Sequence, residues 1–269
     1  MKKILIAMAV SLSMMTLFLC PVGARIPGTE KSSLSPLQEE LTKKVDSLEG
    51  KWSVCIMDLK KDDTALIHDG EMVSASLIKL FVAGAYFEDV ENKKIKDTMS
   101  ERVAVMLNRS DNDACNELID LMGKERINTF AKEHGYNDTR LTRKMLENTG
   151  TENYTSVSDC AHMLEAVYHG RFVNKKASAF ILKNLEAQEQ RKKIPAGVPE
   201  GVRTANKTGE LSSVENDVAI IWSEGTDYIL CVMSNDITAP GLAQQEIVDI
   251  SRTVYDFFNK DSGTAETGS

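Results

Sequence analysis

The chain has 269 residues, 42 % hydrophobic and 27 % charged, with a formal net charge of −8. This composition suits a globular protein with a sizeable core, and its acidic balance excludes a nucleic-acid-binding footprint. Five cysteines without zinc-type spacing exclude both a structural zinc module and a disulfide scaffold.

Lys2 and Lys3 precede an apolar run from Ile4 to Leu19, and Val22, Gly23 and Ala24 supply small residues at a cleavage site. Residues 1–24 therefore read as a signal peptide, and the protein as exported: secreted or periplasmic. Bulky Leu19 directly before Cys20 argues against a lipid-modified cysteine, and the run is short for a membrane anchor. Without this segment, 30 basic residues face 40 acidic ones, and no stable membrane partner is expected.

After a polar lead-in (25–34), Leu37, Leu41, Val45 and Leu48 recur at helical spacing, and Gly50 follows. Trp52–Leu59 and Thr64–His68 read as strands joined by a charged turn, Lys60–Asp63. From Ser76 to about Gln188 the pattern is mostly helical, with helices expected at Asp111–Met122, Lys124–His134, Ser158–His169 and Val173–Ala187. Strands follow near Val202–Lys207, Asp217–Ser223 and Tyr228–Ser234, then a helix over Pro240–Phe258. The polar tail 261–269 is expected to be disordered.

This order predicts an α/β fold of the α+β type. An antiparallel five-stranded sheet is assembled from both ends of the chain and flanked by the terminal helices, with an all-helical lobe beside it. One bipartite domain over 35–260 is expected, with a sheet lobe (35–70 and 200–260), a helical lobe (71–199) and a cleft between them. Cys55 and Cys231 then fall on neighbouring strands, the one pair worth testing for a disulfide; the other reading of Cys55, Cys115, Cys160 and Cys231 is buried free thiols. His162 and His169 share a helix but lack a third ligand, so no metal and no cofactor is expected.

Three strings carry the chemistry: Ser76-Leu77-Ile78-Lys79, Ser110-Asp111-Asn112 and Lys207-Thr208-Gly209. The first alone is expected roughly once by chance in such a chain. On a helix, residues three apart share a face, so Lys79 can reach the hydroxyl of Ser76 and take its proton. A helix start at Ser76 places N–H groups beside a developing oxyanion. Ser110 can relay a proton, and Asn112 can hold both a substrate amide and the lysine amine. Lys207 and Thr208 can bind a substrate carboxylate at the end of a strand, where Gly209 lets a substrate backbone approach.

In these strings the chain resembles the superfamily of class A β-lactamases and penicillin-binding proteins. The resemblance spans roughly Leu37 to Phe258 and extends to Asn116, to Thr139-Arg140-Leu141 with Arg143, and to Asn216-Asp217-Val218-Ala219. It implies Ser76 as nucleophile, Lys79 as base for acylation, Ser110 as proton relay and Asn112 as substrate ligand. It also implies Lys207 and Thr208 as carboxylate binders, and the N–H groups of Ser76 and Glu210 as oxyanion hole. Class A enzymes carry a water-activating glutamate two residues after the arginine of their L-x-R segment; here that position is Met145. Glu147 and Glu152 are the nearest carboxylates on a shortened loop and the candidate substitutes. Glu210 stands where small or neutral residues are usual in the family, and is expected to narrow substrate choice.

Three readings follow. The first is a β-lactam-opening serine hydrolase. The second is a DD-peptidase- or esterase-like enzyme that β-lactams acylate and that deacylates slowly. The third is a non-catalytic wall- or ligand-binding module. The expected partner is a small β-lactam or a peptidoglycan-derived peptide, and a monomer is expected.

Overall fold

A computed structural model describes residues 32–260; the expected signal peptide, the lead-in up to Lys31 and the tail 261–269 lie outside the described residues. The chain opens with α1 (Ser35–Asp46), which buries Leu37, Leu41 and Val45. Next come β1 (Lys51–Asp58), β2 (Asp63–Ile67) and the short β3 (Met72–Val73). A 3-10 turn (Ala75–Leu77) runs into α2 (Ile78–Glu91), followed by α3 (Ser100–Asn108), α4 (Asn112–Met122) and α5 (Lys124–Glu133). After β4 (Tyr154–Thr155) come α6 (Val157–Tyr168) and α7 (Lys175–Glu186). A second 3-10 turn (Ile194–Gly197) leads to β5 (Thr204–Leu211), β6 (Val214–Ile221), β7 (Tyr228–Asn235) and α8 (Pro240–Asn259).

The five-stranded sheet has the order β2-β1-β7-β6-β5, and every neighbouring pair is antiparallel. Its central strands are covered on both faces, so their apolar residues alternate between two cores. Trp52, Val54 and Ile56 of β1 join Tyr228, Leu230 and Val232 of β7 beneath α1 and α8. Cys55 and Met57 join Ile229, Cys231 and Met233 on the other face, against the helical lobe. Cys55 lies directly opposite Cys231, yet all four described cysteines are buried free thiols.

At the centre of the helical lobe is α2, buried along nearly its whole length as an all-round apolar helix must be. Gly84 lets it pack: a Cβ there would meet the Phe130 ring at 2.5 Å and the Phe172 ring at 2.6 Å.

Three details differ from the sequence reading. Helix α3 was not anticipated, although Met99, Val103, Met106 and Leu107 have helical spacing and are packed in the core. The helical lobe also carries a ribbon, β3 paired with β4. Finally, β5 does not stop at Lys207 but runs to Leu211, which pairs with Val214 across a two-residue turn. Lys, Gly and Glu are poor strand formers, and register with β6 overrides that local preference. Lys207-Thr208-Gly209 therefore lies inside the edge strand rather than at its end. Among the described residues, no helix is long and apolar enough to cross a membrane.

Candidate active site

Ser76 sits half-buried in the 3-10 turn that leads directly into α2, one turn ahead of Lys79. The Lys79 side chain is fully buried, with Nζ 2.9 Å from Ser76 Oγ. The same nitrogen reaches Ser110 O at 2.6 Å, Ser110 Oγ at 3.2 Å and Asn112 Oδ1 at 2.8 Å. Lys207, also fully buried, places Nζ 2.9 Å from Ser110 Oγ and 2.8 Å from Thr208 O. The Ser110 hydroxyl thus bridges two lysine amines, one on each side of the cleft. Asp111 caps α4 by accepting from Ala114 N at 2.7 Å, which leaves Ser110 and Asn112 to project from the turn.

The turn that carries Ser76 is clamped from three directions. The Asn216 side chain donates to Val73 O at 3.0 Å and Ser74 O at 3.3 Å. Ser74 N donates to Asn153 O at 2.8 Å. Gly209 brings the edge of β5 so close that a Cβ would lie 2.7 Å from Ser74 O and 3.1 Å from Ser76 N. Ala75 (φ 45) and Ser110 (φ 60) both adopt the left-handed region that non-glycine residues avoid. Such residues cost about 1–3 kcal/mol each and persist only where the surroundings over-determine them, as these clamps do.

A cavity of about 60 Å³ opens at Ser76, lined among others by Asn112, Met145, Glu152, Asn153 and Glu210. Burial pulls the Lys79 ammonium down to about 8, against the opposing fields of Cys115 and Asp111. An amine with that value is partly neutral at neutral pH and can accept a hydroxyl proton. Burial also pushes Lys207 well below the ordinary lysine range, with the like charge of Lys79 adding to it.

The chain carries two matching segments, 36–103 and 95–258, of the model for the β-lactamase enzyme family. It belongs to that family. Solved structures agree in fold. A variant of PBP-A, in an acyl-enzyme complex with penicillin G, superposes with a TM-score of 0.78 at 22 % identity, covering 84 % of this chain and 97 % of that one. A β-lactamase from Sphaerobacter thermophilus gives 0.74 at 24 %, over 83 % and 97 %. The TLA-1 extended-spectrum β-lactamase gives 0.76 at 17 %, over 82 % and 98 %. No curated protein sequence matches.

Within this family fold, the resemblance-derived residues fall in different places. Ser76, Lys79, Ser110, Asn112 and Lys207 form one hydrogen-bonded cluster, and Gly209 abuts it. Thr208 is buried and pairs in register with Asp217. Glu152 reaches the cavity but is ion-paired with Arg143, whose Nε also contacts it at 3.2 Å. Glu147 is exposed, accepts from Lys144 N at 2.9 Å, and does not line the cavity. Met145 is buried in the cavity wall, and its backbone is held on both sides by Asn116: Met145 N donates to Oδ1 at 2.8 Å and Nδ2 donates to Met145 O at 3.2 Å.

Sequence reasoning missed Lys193, Glu215 and Asn153. Lys193 is almost fully buried, with Nζ 2.9 Å from Glu210 Oε1 and 2.8 Å from Glu215 Oε2. Asn153 anchors Ser74 through its carbonyl and the loop through Oδ1, which accepts from Thr142 N at 2.8 Å and Arg143 N at 3.1 Å. A charged residue in a polar run, and an asparagine in a loop, carry no signal of burial in sequence.

Proposed function

We propose that this protein is a serine hydrolase of the class A β-lactamase type, opening β-lactam amides through an acyl-enzyme on Ser76. The observation that carries this reading is the fully buried Lys79 amine, pulled down to about 8 and 2.9 Å from Ser76 Oγ. Neutral Lys79 takes the hydroxyl proton as Oγ bonds to the lactam carbonyl carbon. The N–H groups of Ser76 and Glu210 receive the oxyanion, and Asn112 holds the substrate amide. The C–N bond then breaks, and the leaving nitrogen takes a proton through the Ser110 hydroxyl, which touches both Lys79 and Lys207. Water must finally add to the ester carbonyl, expelling Ser76 Oγ and restoring its proton.

A second reading has its own observation. Met145, which the resemblance aligns with the water-activating glutamate of class A enzymes, is buried and lines the cavity wall. The available carboxylate, Glu152, is engaged by Arg143. General-base help is worth about 10²–10⁴ in rate, so its lack leaves a long-lived acyl-enzyme. On this reading the protein acts on D-Ala-D-Ala-type peptides or esters and is blocked by penicillins. PBP-A, which this chain resembles in fold, forms an acyl-enzyme with penicillin G in a variant form. Intact acylation machinery counts against a purely binding role. Export through residues 1–24 would bring the site to wall-derived substrates.

One assay separates the readings: mix the protein with a chromogenic cephalosporin and follow both colour and intact mass. Sustained colour supports the hydrolase. A single burst with a persistent adduct on Ser76 supports the slow acyl enzyme. No adduct refutes both.

A further inference from the structure

Lys193 is 1 % exposed, and its amine bonds to two carboxylates rather than to Ser76, Lys79 or Ser110. It precedes the 3-10 turn Ile194–Gly197, which is seated on α8: Ser251 Oγ donates to Ile194 O at 2.8 Å, and a Cβ on Gly197 would meet Val248 O at 2.5 Å. From this fixed base the Lys193 amine donates to Glu210 Oε1 at 2.9 Å and to Glu215 Oε2 at 2.8 Å. Glu210 and Glu215 are directly paired across β5 and β6. Like charges directly opposite on an antiparallel pair are destabilising, so this rung of the ladder depends on a cation between its carboxylates.

No neighbour can take that place. Gln244 Nε2, 3.0 Å from Glu215, is neutral. Asp217 lies two residues along the same face of β6 and adds a third carboxylate, which accepts from Ile194 N at 2.9 Å and Asn206 Nδ2 at 3.0 Å. Lys207 is the other cation close by, and its field favours the Asp217 carboxylate. Strand alternation, however, turns Lys207 to the face opposite Glu210, where Nζ meets Ser110 Oγ at 2.9 Å. Its hydrogen-bond partners there are neutral, so its charge stays available to a substrate carboxylate, as both functional readings require.

The edge strand β5 has β6 as its one neighbour, and its residues Lys207, Gly209 and Glu210 are poor strand formers. Glu210 also lines the Ser76 cavity. We propose that Lys193 is a positioning residue for the oxyanion donor on β5: by neutralising Glu210 and Glu215 together, it holds the strand end that carries the Glu210 N–H against the turn of Ser76. This rests on the reading of Ser76 as acyl nucleophile, with the Glu210 N–H receiving the oxyanion. Because the oxyanion forms only in the transition state, Lys193 governs the rate of bond formation and not the binding of substrate. Full loss of such a donor costs about 10²–10³ in rate, and its displacement should cost about tenfold or more.

The test is rapid-mixing acylation with a fluorescent penicillin, which gives the dissociation constant and the acylation rate separately, with the fraction of Ser76 modified read by intact mass. Lys193→Met should lower the acylation rate at least about tenfold and leave the dissociation constant within about twofold of wild type. Adding Glu215→Gln should restore the rate to within about threefold of wild type, since the rung then carries one charge. If Lys193→Met does not fold, Lys193→Gln is the milder change, because its amide can still donate to Glu215, and the same rescue applies. A merely structural role would lower the modified fraction and leave the rate of the remainder unmoved. A rate within about threefold of wild type in the folded Lys193 variants, or a loss that Glu215→Gln fails to rescue, would overturn the proposal. Wild-type protein that is never modified at Ser76 would instead refute the nucleophile reading, and this proposal with it.

Discussion

Replacing Gly209 with alanine tests how closely β5 must approach Ser76, the proposed nucleophile. A Cβ at this position would stand 2.7 Å from Ser74 O, 3.1 Å from Ser76 N and 3.3 Å from Ala75 Cβ. Two of these atoms are backbone, in a turn held at Ser74 by Asn216 on its carbonyl and Asn153 on its N–H, so no side-chain rotation can relieve the contact. Bringing the shortest distance to ordinary van der Waals contact near 3.5 Å requires the strand and the turn to part by about 0.8 Å. In the proposed mechanism the two oxyanion donors lie on opposite sides of that gap, the Ser76 N–H on the turn and the Glu210 N–H on β5. Parting them removes most of one donor's contribution, which is worth about 10²–10³ in rate. Overpacking of this size costs about 1–3 kcal/mol of stability, so the variant should remain folded. The assay is the second-order rate of adduct formation on Ser76 with a fluorescent penicillin, alongside a thermal melt. Acylation within threefold of wild type would show that the close approach of β5 has no part in binding the oxyanion.

Three further outcomes follow from the same geometry. Because burial pulls Lys79 down to about 8 and the proposed mechanism uses the neutral amine, the acylation rate should rise about tenfold per pH unit below 8 and level off above it; a flat profile between pH 6 and 9 would contradict Lys79 as the base. Met145→Glu puts a carboxylate into the cavity wall beside Ser76, and should shorten the lifetime of the penicillin adduct by up to about 10²–10⁴, read as the decay of the adduct mass. Gly84→Ala drives a methyl into the Phe130 and Phe172 rings, and should lower stability by about 1–3 kcal/mol, measured by urea denaturation, without altering the pH at which acylation is half-maximal.

The parts of the site visible in sequence are those whose chemistry is local. Ser76 and Lys79 lie one helical turn apart, and Ser110 to Asn112 form one turn capped by Asp111. The sheet was legible for a related reason: β1, β6 and β7 alternate between two apolar cores, so their burial is written into consecutive residues. What sequence concealed is set by distant register. Lys193 looks like one more charge in the Gln190–Lys193 run until the chain folds it against Glu210 and Glu215, 17 and 22 positions away. The length of β5 was concealed too, since pairing with β6 holds Lys207, Gly209 and Glu210 in a strand that their own preferences oppose. Glu147 and Glu152 were indistinguishable as loop acids; only the path of the loop brings Glu152 to the cavity and leaves Glu147 in solvent.

The same path bears on why deacylation would be slow. A catalytic carboxylate can be absent from a site because its loop is mobile or because the loop is fixed with another residue in place. Here the loop is tied down at three points. Asn116 brackets Met145 with a donor and an acceptor, Asn153 accepts from both Thr142 and Arg143, and Arg143 pairs with Glu152. Asn153 also anchors Ser74 through its backbone carbonyl, so the loop and the turn that carries Ser76 are tied through one residue. To free Glu152 as a base would break its pair with Arg143, whose side chain is 7 % exposed while that of Glu152 is 37 % exposed. The loop's ties hold Met145 in the cavity wall, so a new side chain at this position would be presented to the cavity without motion of the loop. On the proposed mechanism, acylation would depend on the junction of α2, α4 and β5 that surrounds Lys79, and hydrolysis on the side chain that this tied-down loop presents at Met145.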